Sequence, residues 1–231
     1  MIKGILFDKD GTLFDFNATW GAFTETLLLS EVGGDLDRVQ QLADRLGYDL
    51  ANKVFFPGSI VIAETVDVVA SHILPLLPET DKASLISRMN GLAAQVPQIE
   101  AAPLVPFVEG LKARGLLIGV CTNDAEAPAR SHLGRAGVEE AFDFIAGYDS
   151  GHGAKPAPGP LLAFARAVDL DPAHCIMVGD SLHDLHAGRA AGMRPVGVLT
   201  GPAGAEELAT AAEVVLDSIA DLTDWVDRQN T

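Results

Sequence analysis

The chain is short of cysteine, of positive charge and of long apolar runs, and each shortage excludes something. Its two cysteines, Cys121 and Cys175, sit in apolar segments of a 231-residue sequence. They read as small core residues of a protein in a reducing cytoplasm rather than as a disulfide framework. Lys and Arg number 16 against 32 Asp and Glu, a net charge of −16. A surface of that sign repels nucleic acid and anionic membrane, so neither is expected as a partner. No run reaches the roughly 18 apolar residues of a spanning helix, and the most apolar stretch, Ile60–Ala70, carries Glu64 and Asp67. The first apolar run, Ile5–Phe7, meets Asp8 far short of a secretory core. Hydrophobic residues still make up 48% of the chain, which excludes disorder and suffices for a packed core. The expectation is a soluble cytoplasmic protein, monomer or homodimer, with one large domain or a core carrying an insertion.

Three short β-prone runs end abruptly in polar loops. Ile2–Phe7 runs into Asp8-Lys9-Asp10-Gly11-Thr12, Leu116–Cys121 into Thr122-Asn123-Asp124, and Cys175–Val178 into Gly179-Asp180-Ser181. Weaker strands are expected at Phe142–Ala146, Pro195–Leu199 and Val214–Leu216, and helices at Phe107–Gly115, Pro160–Val168, Leu182–Ala191, Ala203–Ala212 and Ile219–Gln229. Strands alternating with helices after residue 101 predict a parallel sheet with helices on both faces, an α/β fold. Residues 16–100 differ: Asn17–Ser30, Asp35–Leu46, Ser59–Leu74 and Thr80–Ala94 read as helices with no convincing strand among them. The α/β pattern therefore starts at 1–15, is interrupted by an all-helical insertion at 16–100, and resumes over 101–231.

In a parallel sheet all strand C-termini share one edge, so Asp8, Asp10, Thr122, Asp124 and Asp180 are candidates for one crevice. Carboxylates a few ångströms apart do not all ionise without a cation. Hard oxygen ligands of this kind suit Mg²⁺ joined to a phosphate.

The motif Asp8-Lys9-Asp10-Gly11-Thr12-Leu13 resembles the first signature of the haloacid dehalogenase superfamily. Thr122-Asn123 resembles the second, Lys155 in Gly153-Ala154-Lys155-Pro156 the third, and Gly179-Asp180-Ser181-Leu182-His183-Asp184 the fourth, all in order. The insertion resembles the C1-type cap of the phosphoglycolate phosphatase-like branch by position and helicity only. The resemblance implies a Rossmann-like catalytic core, residues 1–15 and 101–231, with a helical cap, residues 16–100. It implies a Mg²⁺-dependent phosphatase acting on a small phosphorylated metabolite such as phosphoglycolate or a sugar phosphate. Asp8 is then the nucleophile that forms an aspartyl-phosphate, and Asp10 the general acid and base. Lys9 between them sets a spacing and matters little by identity. Gly11 turns the backbone and, with Thr12 beside it, exposes N–H groups to the phosphoryl oxygens. Thr122 donates its hydroxyl, Asn123 its backbone N–H, and Lys155 a fixed charge to the phosphate. Asp180 joins Asp8 and the Asp10 backbone carbonyl around the metal, and Asp184, one turn along, anchors Lys155 or a water on the metal. Members that cleave C–Cl bonds lack an acid at the place of Asp10, and phosphonatases carry Ala there, so its presence favours transfer from oxygen.

Other motifs fail. Pro156 follows Lys155 where a P-loop requires Ser or Thr. His183 and His186 lie one turn apart and read as a polar helix face. Asn17 or Trp20, near the crossing between the two parts, are candidates for the leaving group, with Lys53, His72, Arg88 and Arg130 as weaker cationic ones. The alternatives to a phosphatase are a sugar phosphomutase with the same core residues and a non-catalytic phosphate-binding regulatory protein.

Overall fold

The computed structural model describes residues 1–56, 58–62 and 64–231, apart from the Ala22 side chain. After β1 (Gly4–Phe7) come α1 (Phe16–Glu31), α2 (Leu36–Leu46), β2 (Tyr48–Asp49), β3 (Val54–Phe55), α3 (Val66–Ile73) and α4 (Lys82–Ala93). The alternating pattern then resumes with α5 (Leu104–Ala113), β4 (Leu117–Cys121), α6 (Glu126–Arg135), β5 (Phe144–Ala146), α7 (Gly159–Ala167) and β6 (Cys175–Gly179). It ends with α8 (Leu182–Ala191), β7 (Arg194–Val198), α9 (Ala205–Leu208), β8 (Val214–Leu216) and α10 (Leu222–Asn230). Among the described residues no helix is long and apolar enough to cross a membrane.

Six strands form one parallel sheet in the order β5-β4-β1-β6-β7-β8. Phe7 at the end of β1 is in register with Val120 on one side and Val178 on the other. The residues just beyond these three strands therefore emerge side by side, at the reversal of strand order where α/β sheets open a crevice. Alternation sends β1 side chains to two cores. Ile5 and Phe7 pack with Leu104, Val108 and Trp225 of α5 and α10, and Leu6 packs with Leu161, Phe164 and Ala187 of α7 and α8. The expected two-faced sheet is present.

The inserted segment has its own core, in which Leu28, Leu42, Ile73 and Leu85 from its four helices are fully buried. Each helix starts on a side-chain cap: Asp15, Asp35, Thr65 and Asp81 accept from backbone N–H groups of the first turn. The two chain crossings are tied together, the Asp15 N–H donating to the Ile99 carbonyl at 2.8 Å and the Ala101 N–H to that of Leu13 at 2.9 Å.

Three sequence expectations are corrected. The insertion is not all-helical, because β2 and β3 pair antiparallel. Their turn is built by Asp49, whose carboxylate accepts from the Ala51 and Asn52 N–H groups, and two-residue strands are too short to show a period. The helix expected over Ser59–Leu74 begins only at Val66, since Thr65 caps it and the Ser59 hydroxyl donates instead to the Leu46 carbonyl at 2.6 Å; residue 63 of that span lies outside the described residues. The helix expected over Ala203–Ala212 shrinks to the four residues of α9.

Candidate active site

Asp8 follows β1 directly and is 7% exposed. Its carboxylate accepts from the Lys155 ammonium at 2.5 Å, and the same ammonium donates to Asp184 at 2.6 Å. Asp184 is set by a capping box at the start of α8, its other oxygen accepting from the Ser181 N–H at 3.1 Å and hydroxyl at 2.7 Å. Lys155 is held by Asn123 through two bonds of 2.9 Å, the Asn123 amide donating to the Lys155 carbonyl and accepting from its N–H. Asn123 thus has a side-chain task, positioning the lysine, that its expected backbone role did not include.

Asp8, Asp180 and Asp184 each offer an oxygen within 4.8 Å of the others, and all three are buried. Three carboxylates face a single ammonium. Burial, more than the Asp184 and Asp10 charges, pushes the Asp8 carboxyl up to about 7 despite Lys155 beside it. Asp180 is likewise raised, by burial and then by Asp8. Three carboxylate oxygens this close are a donor set that could hold a small, hard divalent cation. The Asp10 side chain is not in the cluster; the ligand expected from that residue is its backbone carbonyl. Gly11 (φ +78°) leaves no room for a Cβ against the Asp180 carboxylate, so both its conformation and its contact require glycine.

A metal-free pH prediction follows. Where the folded form retains protons that the unfolded form has released, stability falls as pH rises. Thermal melts in chelator are expected to lose stability between the ordinary Asp pKa of 3.8 and about 7. Added Mg²⁺ should restore it most at the upper end, and a flat profile with no Mg²⁺ shift would contradict the assignment.

Asp10 is gripped from two sides: the Trp20 indole N–H donates to one oxygen at 2.8 Å, and the Lys9 ammonium meets the other at 2.6 Å. Lys9 is the largest correction. Far from being a spacer, it is fully buried, 3.1 Å from His132 Nδ1 and 3.5 Å from Asp124. Its ammonium also lies 5.4 Å from the Trp20 ring centroid, within cation–π range. Burial lowers the Lys9 pKa, but the Asp10 and Asp124 charges outweigh it and hold the group protonated. Burial, then Lys9, pulls His132 down to about 4, so its ring is neutral. Nδ1 accepts from Lys9 and Nε2 donates to the Ala93 carbonyl at 2.8 Å, a bond from α6 into α4 of the insertion. The strand–loop pattern around Lys9 carries no local signal for this network, because Trp20 and His132 lie on α1 and α6 and Asp124 in the loop after β4.

The other expected residues fall as follows. The Thr122 hydroxyl, buried, accepts from the Asp124 N–H at 3.0 Å. The Gly11 N–H is engaged with the Phe14 carbonyl at 2.7 Å, so it closes the loop rather than facing a phosphate. The Thr12 hydroxyl is buried without a partner. Asp8, Asp10, Thr122, Asn123, Lys155 and Asp184 line one cavity of about 110 Å³ with Trp20, while Gly11, Thr12 and Asp180 are not among its lining residues. Asn17 is exposed and outside that lining. Lys53 pairs with Glu25, Arg88 with Glu31, and Arg130 with Glu126 and Glu139, while His72 is not on the lining. His183 does line the cavity, 4.0 Å from Glu64, while His186 is exposed.

An acid cluster at the carboxyl edge of a parallel sheet, under an inserted segment and braced by a buried lysine, is an arrangement suited to an enzyme that handles a charged group at a metal. A family model for the haloacid dehalogenase-like hydrolases matches residues 2–192. The chain is 29% identical over 233 residues to a phosphoglycolate phosphatase of Rhodospirillum rubrum, covering 98% of this chain and 91% of that one. It is 27% identical over 232 residues to an N-acetylmuramic acid 6-phosphate phosphatase of Pseudomonas aeruginosa, covering 98% and 96%. The crystal structure of a predicted phosphoglycolate phosphatase from Haemophilus somnus 129PT superposes with a TM-score of 0.74 at 20% identity, covering 97% and 98%, a likeness of fold. The chain belongs to the haloacid dehalogenase-like hydrolase family, among its phosphoric monoester hydrolases.

Proposed function

We propose that the protein is a Mg²⁺-dependent phosphatase that hydrolyses a small phosphorylated metabolite through an aspartyl-phosphate on Asp8. The observation that carries this is the Asp8 carboxylate at the end of the central strand, 2.5 Å from the Lys155 ammonium, on the wall of a cavity. In this reading an Asp8 oxygen attacks phosphorus, and the bond from phosphorus to the ester oxygen breaks. Asp10, oriented by Lys9 and Trp20, gives its proton to the departing alkoxide. It then takes a proton from water, which attacks the same phosphorus and frees the Asp8 carboxylate and inorganic phosphate. Lys155 and Thr122 face the phosphoryl oxygens, and Asn123 and Asp184 hold Lys155 in place. Asp8, Asp180 and Asp184, with the Asp10 backbone, would hold Mg²⁺, which offsets the repulsion between carboxylate and phosphate dianion. Residues 1–15 with 101–231 act as the catalytic core and 16–100 as the cap that shields the reaction from bulk water.

Acetyl phosphate and p-nitrophenyl phosphate assayed with Mg²⁺ and with chelator test the reading. Phosphate release only with the metal is expected, with a phosphorylated Asp8 peptide after acid quench. Release without a bisphosphate activator separates hydrolysis from a mutase cycle, and inertness toward both compounds would overturn the proposal.

A further inference from the structure

The cavity is polar mainly at its floor. The catalytic loops supply the carboxylates, Thr122, Asn123 and Lys155, whereas the inserted segment contributes mainly hydrocarbon: Phe23 and Leu27 from α1, Ile62, Val66 and Val69 at and before α3, and Met89 from α4. No lysine or arginine of that segment is among the described lining residues. Its candidates are committed elsewhere, Lys53 to Glu25 at 2.6 Å and Arg88 to Glu31 at 2.6 Å. Lys155 is spent on Asp8 and Asp184, and His183 sits by Glu64. The Trp20 N–H is already used by Asp10. Among the described residues the polar groups of this upper wall are Thr24, Glu64 and Asn90, and Asn90 Oδ1 is buried without a hydrogen-bond partner.

A leaving group carrying a second anion would set that charge against apolar walls with no cation, at the cost of its hydration. A polyhydroxylated sugar would set most of its hydroxyls against Phe23, Leu27, Val66, Val69 and Met89, with only Thr24, Glu64 and Asn90 to meet them among the described residues of this wall. A ring or branched chain of carbon loses nothing and is removed from water. The volume, about 110 Å³ for floor and wall together, is below the ~150 Å³ apolar cavity that admits benzene, so one ring is the upper bound for the leaving group.

We infer that the substrate is the phosphate monoester of an uncharged, mainly apolar alcohol about one ring in size, with at most one donor placed for Asn90. The inference rests on the phosphatase reading above and narrows it away from phosphoglycolate and sugar phosphates. Phe23, Val66 and Met89 are its specificity-determining residues.

The test compares kcat/KM, with Mg²⁺, for benzyl and cyclohexyl phosphate against 2-phosphoglycolate and glucose 6-phosphate, with acetyl phosphate as a substrate that asks little of the upper wall. The apolar esters are expected to lead by about 10²-fold, the scale on which a hydrophobic pocket discriminates. Met89→Lys should shrink that lead by roughly tenfold by giving the glycolate carboxylate a partner, with a melting curve confirming that the variant is folded. Benzylphosphonate should raise the wild-type melting temperature more than phosphonoacetate does. Turnover of acetyl phosphate combined with a preference for phosphoglycolate or glucose 6-phosphate would overturn this inference and leave the phosphatase reading standing. Inertness toward every ester and toward acetyl phosphate as well would overturn both.

Discussion

Replacing Asp8 by Asn is expected to lower kcat by on the order of 10⁶-fold, the scale of losing a covalent nucleophile, with the fold intact. The amide cannot form the acyl-phosphate, so no phosphorylated peptide should appear after acid quench. Stability should not suffer. Burial already pushes the Asp8 carboxyl up to about 7, so a neutral side chain of the same shape removes a charge that the metal-free protein holds at a cost. Lys155 keeps its 2.6 Å contact with Asp184. The melting temperature of metal-free Asp8→Asn at neutral pH should therefore match or exceed the wild type, and its rise with Mg²⁺ should shrink because one proposed carboxylate ligand becomes a neutral amide. Turnover within tenfold of wild type would exclude covalent catalysis at Asp8.

The second large effect is at a residue whose position between two acids looks incidental. Lys9→Met is expected to destabilise the protein by roughly 3–5 kcal/mol, the cost of removing one partner from a buried ionic cluster. For a chain of this length that is a fall of roughly 10 °C in melting temperature. Methionine nearly matches the lysine stem, so cavity formation contributes little. The loss arises because Asp10 and Asp124, each only 13% exposed, stay without their shared cation. His132 Nδ1 would also lose its donor. Activity should drop as well, since Asp10 would be held by Trp20 alone. Adding Asp124→Asn to Lys9→Met should recover part of the stability, by removing the stranded charge, and none of the activity, because Asp10 remains unclamped. Calorimetry with steady-state kinetics on the single and double variants checks both halves. An unchanged melting temperature for Lys9→Met would show that the buried network contributes nothing.

The motif loops and the helix at His132 illustrate which parts of the molecule could be read in advance. Leu117–Cys121 and Cys175–Gly179 were visible because a fully buried parallel strand is a short apolar run in its own sequence. The polar loops after them were visible because strand ends at one sheet edge must host whatever polar groups the crevice holds. The β2–β3 ribbon was not, since two residues carry no period. The apolar lining of the cavity was not either: Phe23, Val66 and Met89 are each ordinary helix residues, and only the packing of α1, α3 and α4 turns them to a common space.

The amino-acid order alone determined the alternation of elements, the interruption between residues 16 and 100, and the acids at three strand ends, because these depend on neighbours within a few residues. Tertiary structure alone decided that Lys9 is a buried clamp joined to Trp20 and His132, that the Asp10 carboxylate pairs with it and is not part of the Asp8, Asp180 and Asp184 cluster, and that the wall above them is mainly hydrocarbon. Burial and charge pairing are properties of what surrounds a side chain, and for Lys9 the His132 partner stands 123 residues away in the chain.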